Sequence, residues 1–133
     1  MQVVLRQMNA VPGVFGSLAC DGDGRLLAQA FPPSYEQKHF SEEDRRGGWR
    51  LVASPDAAGG SLKIHQDARV YAALVDGTVD HAIAPGRRAW LQVARGKLKV
   101  GELELREGDG LAVENAPSLK VSGSGEALLF DLP

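Results

Sequence analysis

Glycine and proline break this chain at short, regular intervals, and that punctuation limits its fold more than any other feature. The clusters are Asp21-Gly22-Asp23-Gly24, Pro32-Pro33, Gly47-Gly48, Gly59-Gly60, Asp76-Gly77, Pro85-Gly86, Gly108-Asp109-Gly110 and Gly123-Ser124-Gly125. Glycine and proline both weaken a helix interior, so long helices cannot run through these sites. No stretch between them carries an extended 3.6-residue apolar period, which disfavours a helical bundle. Short apolar or alternating runs bounded by turns at this spacing predict a β-sandwich or β-barrel. At 133 residues, 44% of them hydrophobic and 24% charged, the chain suffices for one domain with a core of its own.

The strongest local signal is a hairpin over Lys97–Arg106. Leu98, Val100, Leu103 and Leu105 alternate with Lys97, Lys99, Glu102 and Glu104. A two-residue turn at Gly101-Glu102 pairs Val100 with Leu103 and Leu98 with Leu105, placing the four apolar side chains on one face and Lys99 opposite Glu104 on the other. Gly101 supplies the positive φ that a type II′ turn needs at its first central position. A one-residue slip would expose the whole apolar set, so the alternation fixes the register.

Further strands are expected at Arg25–Phe31, Trp49–Ala53, Ser61–Ile64, Arg69–Val75, Val79–Ala84, Ala89–Ala94, Leu111–Val113, Leu119–Val121 and Ala127–Leu132. The last is apolar on both sides and suits an inner position. One short helical turn is expected near 41–46, capped by Ser41 and carrying Glu42, Glu43 and Asp44 at its N-terminus.

Charge argues against several partners. The formal net charge is -2, and the dense basic pairs, Arg45-Arg46 and Arg87-Arg88, are too short to track phosphates. Nucleic acid and an anionic membrane surface are therefore not expected. No apolar run is long enough to span a membrane, and Met1–Arg6 has none of the parts of a secretory signal. The single cysteine, Cys20, cannot form an internal disulfide and is read as a small buried hydrophobe; a cytoplasmic home is expected.

Candidate chemistry is sparse. A mononuclear metal site needs several N or O donors converging on one ion. A His-x-His pair on a strand achieves part of that directly, since alternate residues share a face. This chain has three histidines, His39, His65 and His81, and no His-x-His. They are weak metal candidates that would have to converge from separate strands. His65 and Asp67 stand at strand-like i, i+2 spacing and could form an imidazole–carboxylate pair, or a turn in which Asp67 binds backbone amides and His65 tethers a neighbouring loop. Trp90, like Trp49, is a candidate for lining a pocket, so His65, Asp67 and Trp90 form the candidate pocket or structural polar cluster. Gly108-Asp109-Gly110 lacks the Lys-Ser/Thr of a phosphate loop and reads as a turn. No Gly-x-Ser-x-Gly or Ser/His/Asp signature is present, and no catalytic residue is assigned.

From about Ser34 to Pro133 a series of blocks appears in order: Tyr35-Glu36-Gln37-Lys38-His39-Phe40, Leu51-Val52-Ala53-Ser54-Pro55-Asp56, Gly60-Ser61-Leu62-Lys63-Ile64-His65-Gln66-Asp67, Arg87-Arg88-Ala89-Trp90-Leu91-Gln92-Val93, Arg95-Gly96, Gly108-Asp109-Gly110 and Leu128-Leu129-Phe130-Asp131-Leu132-Pro133. In these the chain resembles the C-terminal half of the pirin-like bicupins, which include quercetin 2,3-dioxygenases. The resemblance implies an all-β fold, a single cupin-type barrel (a jelly-roll-like double-stranded β-helix), over residues 34–133. It also implies that the family's metal site, built from a His-x-His pair, a further His and a Glu, belongs to the other half, so no ligand carries over to this chain. Residues 1–33 do not match that family. Val11–Leu18 and Gly24–Ala28 bear a short likeness to the first hairpin of a roadblock/LC7 domain, and the segment is expected to form a hairpin through Asp21–Gly24 that completes or covers a sheet edge.

Two functional readings follow. The first is a non-catalytic cupin module, serving assembly or small-molecule binding, with no cofactor. The second is a quercetin 2,3-dioxygenase-like oxygenase that uses a single divalent transition metal, held at an unrecognised site or supplied by a partner cupin chain. Open sheet edges favour pairing, so a homodimer is expected.

Overall fold

The structure is a computed structural model and describes residues 2–6, 18–20, 26–29 and 35–133. Contacts divide it into two compact units, Gln2–His39 and Phe40–Pro133. In the first unit, β1 (Gln2–Arg6) pairs antiparallel with β4 (Tyr35–His39), and β2 (Leu18–Cys20) pairs antiparallel with β3 (Leu26–Gln29). The Asp21–Gly24 turn, Pro32-Pro33, most of the roadblock/LC7 likeness and the Cys20 side chain lie outside the described residues.

The second unit opens with the short helix α1 (Glu42–Arg45). Ser41 caps it: its hydroxyl accepts from the Asp44 amide at 3.2 Å, and the Asp44 carboxylate accepts from the Ser41 amide at 2.9 Å. This reciprocal box satisfies two amides that the first turn leaves free. Then follow β5 (Arg50–Ser54), β6 (Leu62–Lys63), β7 (Arg69–Ala82), β8 (Arg88–Val100), β9 (Leu103–Arg106), β10 (Gly110–Val113) and β11 (Ser118–Leu132). They form one sheet in the order β10-β8-β11-β7-β5-β6, with β9 also paired to β8. The architecture is the expected all-β cupin-type barrel. β11 is the inner strand that its two-sided apolar sequence requires.

Two of the expected turns are not turns. Asp76-Gly77 and Gly123-Ser124-Gly125 lie inside β7 and β11, and Arg95-Gly96, which fell between two expected strands, lies inside β8, so pairs of expected strands fuse into single strands of 14, 13 and 15 residues. Gly123 faces Gly77 across one ladder, and Gly125 faces Gly96 across the other. At this belt the backbones close on one another. A Cβ on Gly123 would stand 2.6 Å from the Lys97 carbonyl oxygen, while one on Gly96 or Gly125 would collide with the carbonyl of Ser124 or Arg95. Gly77, Gly96 and Gly123 also hold φ of 111°, 77° and 121°, which a strand of L-residues does not adopt. Glycine therefore bends these strands where it was expected to end them.

The consequence is seen at the ends of the ladder. Tyr71 and His81 both lie on β7. In a straight strand they would be roughly 33 Å apart at ~3.3 Å per residue. Their rings are 4.8 Å apart. The β7–β11 ladder folds back on itself about the belt and closes the barrel.

Alternation fills the interior. Ala73, Val75 and Val79 of β7, Leu119, Val121, Ala127 and Leu129 of β11, and Ala89, Leu91 and Val93 of β8 are all buried. On β8 the inward positions are odd before Ala94 and even after it, at Leu98 and Val100. The register with β11 jumps from Val93 to Arg95 at this point, so Ala94 is the extra residue of a bulge. Without it, one half of β8 would turn its apolar face to solvent. The β8–β9 hairpin has the expected register, Val100 with Leu103 and Leu98 with Leu105, and Gly101 has φ of 60°. Two details differ from expectation. Leu103 is 55% exposed, because the hairpin tip runs past the core. Glu104 takes its ion pair from Lys97, at 3.2 Å, along the diagonal and not from Lys99 opposite. That lysine holds the Glu104 carboxyl below its ordinary range.

Candidate functional site

The folded ladder brings its two ends together around Asp131. By alternation with Ala127 and Leu129, Asp131 points inward, and it is only 7% exposed. A lone carboxylate there would be costly, since burial strips its hydration. Both oxygens are partnered. Oδ1 accepts from Arg87 Nε at 2.5 Å, and Oδ2 stands 3.4 Å from His81 Nε2. Arg87 Nη2 also donates to the Asp131 carbonyl at 3.3 Å. The rest of the guanidinium turns to Asp67, with Nη1 at 3.1 and 3.2 Å from the two carboxylate oxygens and Nη2 at 3.3 Å from the Asp67 carbonyl. One arginine thus joins the bend at 65–67, the β7–β8 connection and the end of β11. The Asp131 hydrogen bond is the main reason the Arg87 guanidinium is held above its ordinary pKa. Tyr71 lies tilted against the His81 ring, and burial, reinforced by the Asp131 charge, pushes its phenol pKa up.

The three histidines are distributed differently from a donor set. His81 joins the cluster. His65 lies in the same bend as Asp67, which is not a strand, so the two do not share a strand face. Asp67 spends its carboxylate on Arg87, not on backbone amides. His39 is exposed at the end of β4, in the other unit. Trp90 does not join His65 and Asp67 in a pocket. It lies on the outward side of β8, 40% exposed, stacked over Gly110 with its Nε1 donating to Gln92 at 3.2 Å. Trp49 packs against the core.

Among the described residues no group of three or more His, Cys, Asp and Glu is placed to hold a metal ion. The donor chemistry at Asp131 agrees with this. Its two oxygens are occupied, and the guanidinium carries a full positive charge at the point where a divalent ion would have to sit. The residues of this cluster do not fit a resident metal.

Beside Arg87 a cleft of about 660 Å³ opens between the 83–88 and 114–117 connections, lined by Ile83, Pro85, Arg88, Glu114, Pro117 and Pro133 among others. The Ile83 amide donates to the Pro117 carbonyl at 2.9 Å and ties the two connections together. Arg88 donates to the Pro133 carbonyl at 3.0 and 3.1 Å and stands 3.6 Å from Glu114, so the charges along this wall are balanced. Gly108-Asp109-Gly110 is the turn between β9 and β10 that was expected, with Asp109 accepting from the Arg106 amide at 2.8 Å.

A second buried ion pair lies away from this cluster. Arg45 of α1 is 3% exposed and pairs with Glu126 beside the β8 bulge. Ser54 and Ser61, both buried, share a hydrogen bond of 2.8 Å, and Ser54 also donates to Asp56 at 2.9 Å. That bond and the Ala58 amide hold the Asp56 carboxyl below its ordinary range. Both sets close turns onto the barrel.

The sequence singled out Asp67 as a candidate, whereas Arg87, which Asp67 and Asp131 share, and Asp131 itself stood in the blocks with no role assigned. Asp131 was detectable: it continues the inward-facing parity of Ala127 and Leu129, where a carboxylate requires a partner. Tyr71 and His81 carried no such signal, because their meeting depends on the bend at the glycine belt.

The family model described as the quercetinase C-terminal cupin domain matches residues 51–132. The quercetin 2,3-dioxygenase of Escherichia coli K12 is 45% identical over 105 residues, covering 76% of this chain and 44% of that protein. The crystal structure of YhhW from Escherichia coli superposes with a TM-score of 0.71 at 38% identity, over 80% of this chain and 46% of that one. A structure of the bacterial pirin YhhW in complex with nickel(II) superposes with a TM-score of 0.70 at 39% identity, over 80% of this chain and 47% of that one. The chain therefore spans less than half the length of these relatives. No helix among the described residues is long and apolar enough to cross a membrane.

Proposed function

The chain belongs to the quercetinase C-terminal cupin family, and on that footing we propose that it acts as a non-catalytic cupin module, serving assembly or the holding of a small molecule at the barrel mouth. The observation that carries the reading is the state of Asp131: the inward carboxylate is paired with Arg87 and His81, above an interior filled by aliphatic side chains. Among the described residues, the pairing of that carboxylate and the aliphatic filling beneath it support this reading. Elemental analysis of protein purified without chelators tests this directly. The expected result is substoichiometric metal. One tightly held transition-metal ion per chain, lost on replacing His39, His65 or His81, would sink the reading.

A second reading is favoured by the length difference. A relative named quercetin 2,3-dioxygenase is more than twice as long as the matched segment, so a partner cupin chain could complete an oxygenase. Oxygen uptake with quercetin and added divalent metal separates the two. Turnover above a metal-only blank, by this chain alone, would support the oxygenase. Turnover only after a second cupin chain is added would assign this chain the supporting role within it. The module is further proposed to form a homodimer, which light scattering after gel filtration checks, and residues 1–33 are proposed to cover a sheet edge. Deleting 1–33 should then reduce soluble expression; unchanged stability would make the segment an appendage.

A further inference from the structure

We infer that the outward face of the sheet around Trp90 docks a second copy of this chain. The inference rests on the homodimer proposed above and names the surface that forms it. Alternation sends Ala127, Leu129 and Asp131 of β11 inward, so Leu128, Phe130 and Leu132 point outward, where they are half-buried. A middle strand has no free edge, but that position does not cover its outer face. The ladder register extends the patch sideways. Phe130 faces Trp90 on one side and Val70 on the other, and Trp90 faces Ala112 of the edge strand β10. The row closes at β5, where Ala53, which faces Val70, is buried. From Val70 to Ala112 it stays open: Val70 and Phe130 are half-buried, while Trp90 and Ala112 are exposed. Trp90 lies over Gly110 and spends its one polar atom on Gln92, so it presents ring and not N–H to a partner. Apolar residues exposed singly need no account, but a contiguous row across four strands marks a contact surface.

Charge selects the occupant. The rim beside Trp90 carries one cation and one anion, Arg88 and Glu114, with side chains 59% and 57% exposed and 3.6 Å apart, beyond hydrogen-bond reach. A rim of mixed sign suits a partner with the same mixed rim, and a two-fold axis through the row sets Arg88 of each copy against Glu114 of the other. With a formal net charge of -2, two copies repel little. Four strands at ~4.8 Å spacing, and residues 128–132 at ~3.3 Å each, make the open patch about 14 by 13 Å. That is small for the centre of an interface, so the dimer is expected to be weak, with a Kd in the micromolar range.

The test is sedimentation equilibrium of the full chain across the micromolar range. Wild type should show a monomer–dimer equilibrium. Trp90→Glu should still unfold cooperatively but weaken association by about thirtyfold or more. Arg88→Glu and Glu114→Arg should each weaken association alone, because each sets like charges against one another across the axis. An equimolar mixture of those two variants should associate like wild type. This mixture still decides if Trp90→Glu does not fold, since a contact within one chain cannot be restored by mixing. A wild-type dimer untouched by these variants, or no recovery on mixing, overturns the surface and leaves the homodimer standing. A monomer at every concentration overturns both. A chain that associates only with a second cupin chain, or dimerises only once residues 1–33 are deleted, overturns the second copy as the occupant of this face.

Discussion

At the middle of the β7–β11–β8 ladder the chain closes backbone against backbone; at its ends it closes side chain against side chain. The glycine belt works by absence, since Gly96, Gly123 and Gly125 leave no Cβ between neighbouring carbonyls. The Asp131 cluster works by presence, with one guanidinium spanning residues 67, 87 and 131. The belt is intolerant because backbone cannot move aside. The cluster should be more forgiving because its partners include the exposed side chain of Asp67. The difference separates what shapes the barrel from what clasps it shut.

The largest effect is therefore expected at the belt. Gly125→Val places a branched side chain against the Arg95 carbonyl and should cost more than about 4 kcal/mol, seen as loss of soluble protein or of a cooperative urea transition. A variant that unfolds like wild type would show that the belt can open. Next is the clasp. Asp131→Asn removes one partner of a mostly buried ion pair and should cost about 2–3 kcal/mol, below the usual figure for such a break because Arg87 keeps Asp67. A cost equal to the belt's would remove the distinction.

Smaller effects sharpen the comparison through pH. Burial and the Asp131 charge raise the folded Tyr71 pKa above its unfolded value. The folded state thus holds the phenolic proton more tightly, and this contribution is complete below the ordinary tyrosine pKa and lost as pH rises through the folded one. Ultraviolet titration should find Tyr71 ionising above the ordinary range, and less so in Asp131→Asn. The smallest effect belongs to the solvent-facing Lys97–Glu104 pair. Glu104 has a depressed carboxyl, so its contribution is present above the ordinary glutamate pKa and fades as pH falls through the lowered one. Glu104→Gln should change the urea midpoint slightly at neutral pH and not at all in strong acid.

The strands from Arg50 onward and the hairpin register were legible in the sequence because they depend on alternation along a few neighbouring residues, whereas the pairing of β1 with β4 was not expected. Leu98 with Leu105 and the Gly101 turn needed nothing more distant. The belt was legible as glycine but not as a bend, because whether Gly123 ends a strand or folds one depends on what faces it, here Gly77 and Leu98. Trp90 shares its parity with Gln92 and not with Ala89, Leu91 and Val93, so its outward face was signalled by alternation and missed because a large aromatic was weighed as a pocket lining. The cluster was half legible: the Asp67 and Arg87 blocks stood out, while the Tyr71–His81 contact exists only after the ladder has folded back.

The central place of β11 carries a consequence for how the protein is made. Both of its partners, β7 and β8, precede it in the chain. On a translating ribosome those two long strands emerge with unpaired edges and must wait until residues 118–132 have cleared the exit tunnel before the sheet can close. Exposed edges of that kind are where nascent chains aggregate and chaperones bind. Slower synthesis through the codons before Ser118 should lengthen that wait and lower the soluble yield without changing a single residue of the finished barrel.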